Sequence, residues 1–123
     1  MKIRVYYEDT DAGGIVYHSK YINFCERARS EIFFQKERSP IPEPNSGFVV
    51  RNINAEFLKT SKLGDILEIK TELIWIKNVS AAFRQTIYRE NEAVFTMEIV
   101  LVYVKNGKPS KIPQEAIGIL ESI

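Results

Sequence analysis

Cysteine and histidine are almost missing from this chain: Cys25 is its one thiol and His18 its one imidazole. A lone cysteine cannot close an internal disulfide, which points to a reducing compartment. With one His and one Cys, a zinc site would need Asp and Glu ligands at unsuitable spacing, so no metal is expected. Neither sign of charge is in excess, since 17 Lys and Arg stand against 16 Asp and Glu, for a formal net charge of +1. Nucleic acid demands a clustered surplus of cations, so no nucleic-acid partner is expected. Long hydrophobic runs are also absent; the longest, Ile99 to Val104, is far too short to cross a bilayer. The opening Met1-Lys2-Ile3-Arg4-Val5 moves straight into charged residues, without the apolar stretch of a secretory signal. A cytoplasmic protein is the expectation.

What is present is a good core composition. Of 123 residues, 45% are hydrophobic and 11% aromatic, enough for one folded domain over residues 1–123 and too few residues for a second. Ile3, Val5 and Tyr7 alternate with Lys2, Arg4 and Tyr6, the pattern of a short first strand. From about Ser19 to Arg38 the period becomes helical: Tyr21, Phe24, Cys25, Ala28, Ile32 and Phe33 recur at spacings of three and four. Pro40, Pro42 and Pro44 end that helix and predict an extended surface loop from Ser39 to Gly47. Beyond it, strands are expected at roughly 48–58, 65–77, 80–90 and 92–105. Leu67, Ile69, Leu73 and Trp75 should share one face of the second of these. Ile99 to Val104 is apolar on both faces, as in a strand inside a sheet. Asn106-Gly107 is a strong turn signal, and Pro113 suits the start of a short helix to about Leu120. One strand, one long helix and then successive strands make an α+β chain: an antiparallel sheet of about five strands with the helix on one face. A curved sheet around one central helix is the hotdog arrangement, which periodicity supports without proving.

Chemistry-bearing groups crowd between residues 7 and 18: Tyr7, Glu8, Asp9, Asp11, Tyr17 and His18, flanking Gly13-Gly14. They sit where a strand gives way to a helix, whose first amides and positive dipole end can stabilise a developing oxyanion. A carboxylate beside such an end can act as base or nucleophile. Asp and Gly before a helix are equally ordinary turn and capping residues. Other motifs fail. Asp9-x-Asp11-x-Gly13 begins like a calcium loop, but Lys20 stands where the closing Glu belongs. No Gly-Lys-Ser/Thr follows Gly13-Gly14, which excludes a P-loop, and no Gly-x-Ser-x-Gly elbow exists. Cys25 lies on the apolar stripe and reads as core. Glu26 and Arg29 stand three apart and are placed to pair. Lys59 and Lys62 fall near a strand end, where they can meet phosphates or simply be solvated.

The run Tyr7-Glu8-Asp9-Thr10-Asp11-Ala12-Gly13-Gly14-Ile15-Val16-Tyr17-His18-Ser19-Lys20-Tyr21, with Glu26-Arg27-Ala28-Arg29 after it, resembles the 4-hydroxybenzoyl-CoA thioesterase family. Ala55 to Lys59 and Leu63-Gly64-Asp65 resemble the same family's strand and turn after the helix. Within the family the chain is most similar to bacterial acyl-CoA thioesterases associated with the Tol-Pal envelope system. The resemblance implies a hotdog fold that hydrolyses acyl-CoA without cofactor or metal. It implies a homo-oligomer, a dimer or dimer of dimers, with sites at subunit interfaces, and association with envelope or lipid-synthesis proteins. It carries the catalytic Asp onto Asp11, the related Tyr and His onto Tyr7 and His18, and the carbonyl-polarising amide onto His18. Tyr17 would shape that turn, and Tyr17, Lys59 and Lys62 would contact substrate. Two rival functions stay open: a hotdog hydratase or dehydratase on acyl thioesters, whose motifs are spaced differently, and a non-catalytic acyl-CoA-binding partner in an envelope complex.

Overall fold

The computed structural model describes all residues, Met1–Ile123. Strand β1 (Lys2–Arg4) leads through a 3-10 turn (Tyr7–Asp9) to helix α1 (His18–Phe34). Then come β2 (Ser46–Phe57), β3 (Ile66–Ile76), β4 (Ser80–Arg89), β5 (Glu92–Lys105), β6 (Lys108–Pro109) and helix α2 (Gln114–Glu121). Every strand pairing is antiparallel, in the order β1-β3-β4-β5-β2, with the two-residue β6 folded back on β5. The single curved sheet, the long helix and the element order agree with expectation. β5 is internal, between β4 and β2.

The core lies between α1 and one sheet face. Tyr21, Phe24, Cys25, Ala28 and Phe33 descend from the helix onto Leu67, Phe83, Ile87, Phe95, Met97 and Ile99. In β5 the buried residues alternate strictly from Phe95 to Tyr103, so Val100 and Val102 fall on the outer face and stay half-exposed. α2 covers the remaining core with Ala116 and Leu120.

Three expectations need correction. Tyr7 is not in the first strand, which ends at Arg4; it opens the 3-10 turn. The helix stops at Phe34 rather than near Arg38, because the chain leaves through Glu37 at φ 57°, a left-handed conformation no helix continues. Trp75 does not share a face with Leu67, Ile69 and Leu73. Leu73 pairs with core Phe83 while Trp75 pairs with Ala82, so a bulge at Ile74 turns Trp75 to the outer face. Register shifts also pass Arg51 in β2 and Val94 in β5. Bulges of this kind sharpen twist and bend, which lets one sheet curl around one helix.

The proline segment is an extended loop, as expected, and is tied down by charge. Glu43 accepts hydrogen bonds from the Tyr103 hydroxyl at 2.6 Å and from Lys105 Nζ at 2.7 Å. Those bonds, Lys105 first, hold the Glu43 carboxyl below its ordinary range. Burial, reinforced by Glu43, pushes the Tyr103 phenol up, and Glu43 raises Lys105.

Candidate active site

The chain enters the site through a small closed loop. Thr10 and Val16 form an antiparallel bridge; inside it the Asp11 amide donates to Ile15 O at 2.9 Å and the Gly14 amide to Asp11 O at 3.0 Å. Gly14 makes this closure possible at φ 79°. The Asp11 carboxylate remains exposed, with Oδ1 accepting the Gly13 amide at 2.8 Å. A Cβ on Gly13 would meet that oxygen at 3.2 Å, a contact a side-chain oxygen relieves by a slight turn.

Two aspartates frame the loop and are treated oppositely. Asp9 is only 4% exposed; its Oδ2 accepts the Tyr6 amide at 2.9 Å, Lys20 approaches Oδ1 at 3.7 Å, and its carbonyl accepts the Tyr17 amide. It binds the turn, the helix start and Tyr17 into one unit. Asp11, two residues on, is free for chemistry.

α1 begins at His18, with Tyr17 as its N-cap, and no side chain caps it. No acidic residue sits in its first turn, so its dipole is uncompensated there. The His18 and Ser19 amides have no acceptor outside the helix, as expected for the first residues of an uncapped helix. The exposed His18 ring lies 4.4 Å from the Tyr17 ring and edge-on to Phe57 at 6.3 Å.

A second segment lies alongside. Val16 donates to Ser61 O at 2.8 Å and Ile15 bridges Lys62, which brings Lys62 beside the Asp11 loop. Val94 O, at the β5 bulge, accepts both the Leu58 and Lys59 amides and fixes Lys59 at the end of β2. Both lysines are exposed and neither makes a salt bridge.

The structure therefore gathers Asp11, Tyr17, His18 and Lys62 around one helix end, with Lys59 at the neighbouring strand end. Tyr7 is 83% exposed, and no hydrogen bond joins the Tyr7, Asp11 and His18 side chains. Cys25 is core. Burial pushes its thiol up to about 12, far from a nucleophile's range. Glu26 and Arg29 do not form the expected pair. Arg29 reaches instead across to Gln85 Oε1 at 2.9 Å, and fully buried Gln85 donates to Cys25 O and Thr71. Nothing in the alternation of β4 singles out Gln85, because a polar residue on the core face carries no periodic signal until its partners are known.

A profile of the thioesterase superfamily matches residues 13–96. The chain belongs to this superfamily. This thioesterase-superfamily chain is 39% identical to the acyl-CoA thioesterase YbgC of Helicobacter pylori over the full length of both. It is 38% identical to the acyl-CoA thioester hydrolase YbgC of Escherichia coli, over 94% of the chain and 90% of the relative. Among solved structures, a hypothetical protein of Aquifex aeolicus superposes with a TM-score of 0.91 at 30% identity, covering 98% of this chain and 97% of the other. Its fold is the hotdog expected from the sequence. No helix of the thioesterase is long and apolar enough to cross a membrane.

Proposed function

We propose that this chain hydrolyses the thioester of an acyl-CoA to a free acid and CoA, with Asp11 as the reacting carboxylate. The observation that carries the reading is an exposed Asp11 held by a closed loop beside the uncapped start of α1. The names of its Helicobacter and Escherichia relatives supply the substrate class.

The chemistry follows from the groups present. The thioester carbonyl oxygen takes up the amides at the α1 start, where donors already point and negative charge is favoured. Asp11 either attacks the carbonyl carbon, giving an anhydride that water then hydrolyses, or takes a proton from an attacking water. Collapse of the tetrahedral species expels CoA thiolate, a good leaving group because thiols ionise near about 8.5. His18 and Tyr7 orient the thioester or water, and Tyr17 packs the turn. Lys59 and Lys62, cations without carboxylate partners, suit the phosphates of CoA.

The working unit in this reading is a homodimer. β2 is a twelve-residue edge strand, whereas the opposite edge, β1, has only three residues. Val49 and Val50 are exposed along β2, an unblunted apolar edge that invites pairing. Two copies joined there form one continuous sheet, and the half-exposed outer valines of β5 suit a dimer of dimers. A cytoplasmic setting and contact with envelope or lipid-synthesis proteins accompany this reading. The test is free-thiol release from a panel of purified acyl-CoAs. Tight binding of acyl-CoA without thiol release would replace the hydrolase with a binding protein.

A further inference from the structure

The turn that lies against the Asp11 loop, Thr60 to Asp65, is fastened at both ends. Val5 holds its far end: the Gly64 amide donates to Val5 O and the Val5 amide to Asp65 O, each at 2.9 Å. Within the turn, Asp65 Oδ2 accepts the Lys62 amide at 2.9 Å. The near end is gripped by a side chain from the β4–β5 hairpin. Arg89 Nη1 donates to Thr60 O and stands 3.8 Å from Asp65 Oδ2, while Nη2 donates to Glu92 Oε1 at 3.2 Å.

Arg89 has a firm base for this grip. It pairs with Glu92 at the mouth of the hairpin, and the two linking residues, Glu90 and Asn91, both take positive φ, at 49° and 68°. That is the tight connection whose twist matches its flanking strands. The ion pair is shielded too: Arg89 is 27% and Asp65 17% exposed, so salt screens it less than a surface pair.

The near end needs holding. Ser61 is 2% exposed, and its hydroxyl finds no hydrogen-bond partner in the protein. A buried hydroxyl left unpaired is costly, and an outward rotation of the turn would return it to water. The same rotation would withdraw Ser61 O from the Val16 amide and part Lys62 from Ile15, the two contacts by which the turn meets the Asp11 loop. Val16 also closes that loop against Thr10, so its displacement reaches Asp11.

We propose that Arg89, with Asp65, is a positioning residue for hydrolysis: it keeps the 60–65 turn against the loop and so fixes the line along which Asp11 meets the thioester. The role rests on the hydrolase reading above. Reaction geometry is sensitive to displacements of about 1 Å, whereas the Lys62 ammonium, a point charge on a flexible stem, tolerates them. Loss of the grip therefore falls on kcat rather than on KM.

The test is thiol release by the full chain and its variants, each assayed below its own unfolding transition. Arg89→Met should lower kcat about tenfold and leave KM within about twofold. Asp65→Ala removes the second anchor and should do the same, which keeps the test intact if Arg89→Met does not fold. Adding Ser61→Ala to either should recover about half of the lost rate, because the turn then has no hydroxyl to return to water. In an Asp11→Asn chain followed by single turnover, Arg89→Met or Asp65→Ala should change the residual rate less than about twofold, since each acts through the missing carboxylate. A merely structural role would depress both backgrounds alike. Unchanged kcat in Arg89→Met and Asp65→Ala, no recovery with Ser61→Ala, or a fall of the same size in Asp11→Asn overturns the inference and leaves the hydrolase reading standing. Absence of thiol release by wild type from every acyl-CoA overturns the hydrolase reading itself.

Discussion

Asp9 and Asp11 are chemically alike and two residues apart, yet a 3-10 turn drives one carboxylate inward and leaves the other in the open. Their substitutions should fail in different ways. Asp11→Asn keeps the size and the acceptor for Gly13, so the chain should fold and assemble normally while kcat falls about 10²-fold or more. Asp9→Ala strands the Tyr6 amide and Lys20, and should cost about 1.5–3 kcal/mol in denaturant unfolding. His18→Ala retains its backbone N–H and should lose less than Asp11→Asn. If it loses more, the imidazole rather than the amide is the principal contribution. In a single turnover in ¹⁸O water, label in the Asp11 carboxylate establishes the anhydride route, which alone can place it there. Lys59→Ala and Lys62→Ala should raise KM severalfold with little change in kcat; equal loss in both parameters would remove the lysines from phosphate binding. The stretch from Tyr7 to His18 is legible as a candidate site because acids, glycines and the one histidine coincide at a helix start. Which acid turns inward is not, because that depends on the Tyr6 amide and on Lys20 in the first turn of α1.

The elements were read from period, and they hold wherever the period is undisturbed. The stripe from Tyr21 to Ala28 is buried as spaced, and the strict alternation of β5 puts Phe95 to Tyr103 on the core. Reading failed where one residue breaks the count. A bulge at Ile74 is invisible to a two-residue period, which therefore places Trp75 on the wrong face. Glu37, an ordinary helix former, sits at positive φ and ends the helix early. The proline loop shows a different kind of control. Its tether is complete when Glu43 and Lys105 are both charged. The Glu43 carboxyl is depressed in the folded chain, so the stability it contributes is present above its unfolded pKa and lost as pH falls through the folded value. Lys105 is raised, so its contribution is lost at the alkaline end. Protease cleavage near Ile41 should therefore accelerate as pH falls through the depressed range of Glu43. Glu43→Gln should give the fast rate already at pH 7, and an unchanged rate would mean that packing alone holds the loop.

The proposed pairing of copies rests on one long free edge, β2. Charging it should separate them: Val50→Lys places an ammonium on the exposed apolar edge of β2 and should yield a monomer by light scattering, with hydrolysis reduced at least tenfold. A monomer of full activity would place every necessary group within one chain. The interior of that chain holds a quieter consequence. A protein that breaks thioesters and releases a thiol carries one thiol of its own, Cys25, sealed in the core. With its ionisation pushed to about 12, only about one part in 10⁵ is thiolate at neutral pH, and thiolate is the form that exchanges acyl groups or disulfides. Cys25 is thus closed both to self-acylation by the substrate and to mixed-disulfide capture by oxidised CoA. The folded protein should stay unlabelled by a thiol reagent that modifies the unfolded chain stoichiometrically, and oxidised CoA should form no mixed disulfide with it.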